Sequence, residues 1–169
     1  MEMENRFADL VNLMTRLRGP GGCPWDGEQT HESLKPYLIE ETYEVIEAID
    51  EGSSEMLKEE LGDLILQVVF HSELAREKGE FDISDVIEGL INKLVSRHPH
   101  VFGDAEAKSA EDVLTQWHKL KEEEKKVKAR DSVLAGIPPH MPSLQRAHKI
   151  TQKAARVGLT GDILTRCLK

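Results

Sequence analysis

Residues 38–63, LIEETYEVIEAIDEGSSEMLKEELGD, decide how this chain folds. Leu38, Val45 and Ala48 recur at helical spacing up to Gly52, and Ser53 or Ser54 is placed to cap a second helix that runs through Met56. Glycine after a periodic segment followed at once by a capping residue reads as a tight turn between two helices. Advancing about 100° per residue from Glu41 puts Leu34, Tyr37, Leu38, Val45 and Ala48 on its face, with Glu44 at the edge of the same stripe. Glu40 and Glu47 turn further round toward solvent. The same wheel on the next helix groups Asp63 and Glu60 with Met56, Leu66, Gln67, Phe70 and Leu74. Each helix of the hairpin therefore sends two acids toward an apolar face.

Outward from the hairpin, period-three and period-four spacing persists and period-two alternation is rare, so the fold class is all-α. The expected architecture is a four-helix-bundle-like core with additional C-terminal helices. A first helix is expected at about 4–18, stopped by Gly19-Pro20-Gly21-Gly22, and a loop at 23–29. The hairpin helices are expected at about 30–51 and 54–78. A fourth starts near Asp82 or Ser84 and ends before Pro99, because the residue preceding proline is pushed out of the helical region. Ser109-Ala110-Glu111-Asp112 resembles a capping box with a shortened acid and opens a fifth helix to about 128. Residues 131–143, with Pro138, Pro139 and Pro142, read as a connector, followed by an amphipathic stretch through Leu144, Ala147, Ile150, Ala154 and Val157. The expected division is a helical domain at 1–130 and a connector with a short helical tail at 131–169.

The chain has 169 residues, a length suited to a single core. Twenty-two basic against 31 acidic residues leave a net charge of −9, which argues against a nucleic-acid partner. The start at Met1-Glu2-Met3-Glu4 lacks the basic and apolar pattern of a secretory signal, and the run Leu64 to Phe70 is far shorter than the roughly 20 residues that span a bilayer. Cys23 and Cys167 are too few for a disulfide framework. A cytoplasmic protein with no membrane partner is the expectation.

Four acids gathered on apolar faces need neutralising, and no Lys or Arg shares those faces. Hard oxygen ligands suit Mg²⁺ or Mn²⁺ rather than zinc or copper, so Glu41, Glu44, Glu60 and Asp63 are candidate metal ligands. Acid pairs at this spacing also arise on solvated faces, and the inference rests on the conjunction of two such pairs on consecutive helices. A di-iron carboxylate bundle would need two Glu-x-x-His motifs, and only Glu28-Gln29-Thr30-His31 has that spacing.

Glu40-Glu41-Thr42-Tyr43-Glu44 followed by Glu60-Leu61-Gly62-Asp63 resembles the signature of the all-α nucleoside triphosphate pyrophosphohydrolases. Gly22-Cys23-Pro24-Trp25-Asp26, Gln29-Thr30, Gln67-Val68-Val69-Phe70, and Lys93-Leu94 with Arg97-His98-Pro99-His100-Val101-Phe102 are similar to the MazG branch, and the likeness covers about residues 5–157. The resemblance implies hydrolysis of a nucleoside triphosphate to monophosphate and pyrophosphate, with Mg²⁺ or Mn²⁺, in a helical homodimer. It maps the metal ligands onto the same acids. Larger members carry a second, related domain after a segment like Ala135-Gly136-Ile137-Pro138-Pro139, so a partner domain as main catalyst is one expectation, and a non-catalytic nucleotide-binding module is the alternative function.

Within that frame Glu41, or Glu40 from behind it, would orient or deprotonate the attacking water. Lys93 and Arg97, four apart, are candidate phosphate grips assisted by Asn92, or they compensate the helix dipole. Trp25 would stack a base or plug the core. His98 and His100 read as structural hydrogen-bonding groups. Beyond residue 64 the third long helix is apolar on nearly every side, which predicts a dimer interface there.

Overall fold

In a computed structural model the described residues, 2–127 and 136–156, contain eight helices and no strand. In chain order they are α1 (Glu2–Arg18), α2 (Pro24–Glu28), α3 (Lys35–Glu51), α4 (Ser54–Glu77), α5 (Ile83–Arg97), α6 (Pro99–Phe102), α7 (Ala110–Val127) and α8 (Ser143–Arg156). Residues 131–135 of the expected connector, together with Val157 and Cys167, lie outside the described residues. The chain divides into two compact units, Met1–Leu94 and Val95–Lys169.

The first unit is built on the α3–α4 hairpin, with α1 packed against α4. Gly52 closes α3 in the left-handed region at φ 69°, a conformation a Cβ would strain, and its N–H caps the helix end. Ser53, rather than Ser54, is the N-cap of α4, its hydroxyl accepting from the Met56 N–H at 3.3 Å. Met14 of α1, Leu34, and Val69, Phe70 and Leu74 of α4 form the buried core, flanked by Leu10, Val11 and Leu66.

Arg18, at the end of α1, ties this core to the loop after it. Its guanidinium lies 5.3 Å from the Phe70 ring centroid and is forked onto Glu77 at 2.7 and 2.8 Å. The same group donates to the backbone carbonyls of Asp26 and Gln29. Nearby, Glu73 is buried and bound bidentately by Arg76, which holds its carboxyl below the usual carboxylate range despite the opposing effect of burial.

Two local differences from the expected element map have identifiable causes. Residues 23–29 were expected as a loop, yet Pro24 occupies the first turn of the short α2, a position where its missing N–H costs nothing. Gly22 allows the approach to this turn: a Cβ there would stand 2.2 Å from the Leu17 carbonyl oxygen. The first hairpin helix was expected from residue 30, and begins at Lys35. Thr30 and Ser33 do exchange reciprocal side-chain to backbone hydrogen bonds at 2.9 and 3.1 Å, forming a capping box. Pro36 then cannot donate to the Glu32 carbonyl, so residues 31–34 stay a separate turn.

In the second unit α5 ends at Arg97, ahead of Pro99, and the proline opens the four-residue α6. The Ser109 hydroxyl accepts from the Asp112 N–H at 3.1 Å, and the Asp112 carboxylate accepts from the Lys108 N–H at 3.0 Å. Arg97 lies 5.4 Å from the Trp117 ring centroid, and His98 meets the same ring edge-on.

Candidate metal centre

Because α3 and α4 pack along each other through a two-residue turn, the i,i+3 acid pairs on the two helices face one another. Carboxylate oxygens of Glu41, Glu60 and Asp63 all lie within 4.8 Å of one another, and each of these residues is half-buried. Glu44 borders the group, within hydrogen-bonding reach of Glu41 and electrostatically coupled to Glu60. Among the described residues no ion pair involves any of the four. Desolvation, followed by the charges of Asp63 and Glu44, raises the Glu41 carboxyl above its ordinary range. Desolvation and the neighbouring acids, Glu44 foremost, do the same at Glu60.

Such a cluster is self-repelling until a positive charge enters it, and an all-oxygen donor set of this kind fits a hard divalent cation.

The remaining sequence-derived candidates are distributed more widely. Glu40 is exposed on α3. Trp25 of α2 is half exposed and stands edge-on to Tyr37 at 5.9 Å, so its indole is neither a core plug nor fully free. Asn92 and Lys93 are exposed on α5, which packs along neither α3 nor α4. Arg97 belongs to the second unit, over Trp117.

Four residues with notable surroundings carry no candidate role from the sequence: Arg18, His31, His71 and Gln67. Arg18 had no motif to mark it. His31 and His71 bring their Nδ1 atoms to 2.8 Å with rings stacked at an interplanar angle of 1°, so one Nδ1 donates and the other accepts. Burial, and then His31, lower the His71 basicity. Gln67, grouped with Asp63 by the helical wheel but given no role, is buried with its carbonyl oxygen lacking any partner. Its i+4 spacing from Asp63 and its place in the Gln67-Val68-Val69-Phe70 segment are the signals that could have drawn attention to it.

Fold and site together define a class: an all-α protein whose central helical hairpin carries a carboxylate cluster suited to a divalent cation. Residues 29–102, which contain that hairpin, match the MazG nucleotide pyrophosphohydrolase domain. Over 152 residues the chain is 54% identical to the nucleoside triphosphate pyrophosphohydrolase/pyrophosphatase MazG of Thermotoga maritima, covering 90% of this chain and 58% of that protein. It is 46% identical over 155 residues to the nucleoside triphosphate pyrophosphohydrolase of Escherichia coli, covering 91% of this chain and 59% of that one. The crystal structure of a MazG-related protein from Thermotoga maritima superposes with a TM-score of 0.57 at 29% identity, covering 68% of this chain and 98% of the other. Over residues 29–102 the chain carries a MazG nucleotide pyrophosphohydrolase domain. It spans somewhat under three fifths of the two curated relatives, at 58 and 59%.

Proposed function

We propose that this protein hydrolyses nucleoside triphosphates between the α and β phosphates, releasing nucleoside monophosphate and pyrophosphate. The observation that carries the reading is the convergence of Glu41, Glu60 and Asp63 within 4.8 Å with no basic partner, in a domain of this family. Glu41, Glu44, Glu60 and Asp63 would hold Mg²⁺ or Mn²⁺. A divalent ion so held neutralises the acids, polarises phosphate oxygens and makes water a stronger acid. The protein's own groups do the rest. Glu41, or Glu40 beside it in the chain, orients the water or takes its proton. Lys93 and Arg97, with Asn92, grip the triphosphate, and the half-exposed Trp25 offers a face for the base. The division into a catalytic helical domain at 1–130 and a connector with tail at 131–169 belongs to this proposal.

The substrate is a free nucleotide rather than a nucleic acid, consistent with the net charge of −9, and the site of action is the cytoplasm. Among the described residues no helix is long and apolar enough to cross a membrane. The test is purified protein with Mg²⁺ and a panel of normal and damaged nucleoside triphosphates, with pyrophosphate and orthophosphate measured separately. Pyrophosphate with monophosphate is expected. Orthophosphate with diphosphate overturns the assigned bond, and tight nucleotide binding without turnover would favour a non-catalytic nucleotide-binding module.

The working form is a homodimer. Leu61, Ile65 and Val68, at i, i+4 and i+7 on α4, are 46, 46 and 47% exposed while Val69 behind them is buried. On α5, Leu90 and Ile91 are likewise exposed, at 46 and 53%. A helix apolar on both sides needs a second cover. Light scattering at micromolar concentration should give twice the chain mass, and Ile65→Asp should give the single-chain mass. A monomeric parent protein removes this part of the reading.

A further inference from the structure

Gln67 sits one helical turn beyond Asp63 on α4 and is only 5% exposed. Its side chain lies within reach of the Glu41 carboxylate. Since an ionised carboxylate only accepts, the amide Nε2 is the group that faces Glu41, which leaves the carbonyl oxygen pointing elsewhere. That oxygen is buried and has no partner. Its neighbours on α4, Val69 and Phe70, are apolar, and the His71 Nδ1 is engaged by His31. A buried acceptor left dry is destabilising, and a methionine of similar shape would avoid the cost. The feature therefore calls for a donor that arrives with the site's occupant.

We infer that Gln67 is a positioning residue of the carboxylate site: its amide N–H braces Glu41, and its carbonyl oxygen accepts a hydrogen bond from a water that enters together with the divalent cation. This rests on the cation reading proposed above, and extends it to a neutral residue beside the acids. Such outer partners of a ligand set change metal affinity or activity by about 10- to 100-fold when removed.

The test compares the full chain with its Gln67→Met and Asp63→Asn variants. Mn²⁺ binding is followed by electron paramagnetic resonance, thermal unfolding is measured without metal, and kcat and KM are determined in Mg²⁺. For Gln67→Met the metal-free melting temperature should equal or exceed that of the parent, because the orphaned acceptor is gone. Mn²⁺ affinity or kcat should nonetheless fall by about tenfold or more, with KM little changed. A side chain serving the fold alone would give the opposite pattern, a lower melting temperature with unchanged Mn²⁺ affinity and kcat, and that result overturns the inference. So does a Gln67→Met protein with parental metal affinity and turnover. If methionine unsettles the core, Gln67→Leu is read by the same criteria. Failure of the underlying reading looks different: the parent takes up no Mn²⁺, or Asp63→Asn binds it as well as the parent does.

Discussion

Asp63→Asn is expected to lower turnover by about a thousandfold or more while leaving the fold intact, a loss equivalent to about 4 kcal/mol of barrier. The substitution keeps shape and one oxygen but removes a negative charge from a cluster in which Glu41, Glu60 and Asp63 oxygens lie within 4.8 Å. Without a cation that charge is a liability, since it raises the proton affinity of both Glu41 and Glu60. The metal-free variant should therefore melt at the parent's temperature or above it. The parent should gain stability when Mg²⁺ is added, by about 2.7 kcal/mol at a hundred times its dissociation constant, and the variant should gain far less. Differential scanning calorimetry with and without Mg²⁺, paired with the pyrophosphate assay, reads both effects. Full turnover together with an undiminished Mg²⁺-induced gain would remove Asp63 from the ligand set.

The largest effect on stability is expected from Arg18→Met. The Arg18 side chain is 5% exposed and serves Glu77, two backbone carbonyls and the face of Phe70 at once. Breaking a buried pair by removing one partner costs about 3–5 kcal/mol. Glu77 is 35% exposed and can rehydrate, so the lower end, about 3 kcal/mol, applies here. For a domain of this size that corresponds to a fall of about 6–12 °C in melting temperature. The loss should be uneven in space. With the Asp26 and Gln29 carbonyls released, limited proteolysis should cut first between residues 23 and 30, and Trp25 fluorescence should shift to the red. A variant that melts within 2 °C of the parent, with no new cleavage there, would show that the loop is held by other contacts.

Particular residues mark how far the amino-acid order reaches. Gly52, a serine cap at 53 or 54 and the acid pairs were legible because their signals are local: a left-handed C-cap, a hydroxyl cap, and spacing that puts i and i+3 on one face. Ser109 with Asp112 and the stop before Pro99 belong with them. The expected start of α3 lies five residues ahead of the observed one, since the Thr30–Ser33 capping box and Pro36 act against each other within two turns. Trp117 drew no notice in the sequence, because nothing local says that it will lie beneath Arg97.

Sequence by itself determined the all-α class, the helical hairpin and which acids share its inner faces, because periodicity and capping are set by residues within a few positions of one another. Only the tertiary structure decided that Glu41, Glu60 and Asp63 meet within 4.8 Å, that Arg18 reaches Glu77 and that His31 finds His71. Those meetings join residues 22, 59 and 40 positions apart (63 − 41, 77 − 18 and 71 − 31). Over such separations the partner is chosen by how helices pack, and that choice depends on the whole core rather than on any local pattern.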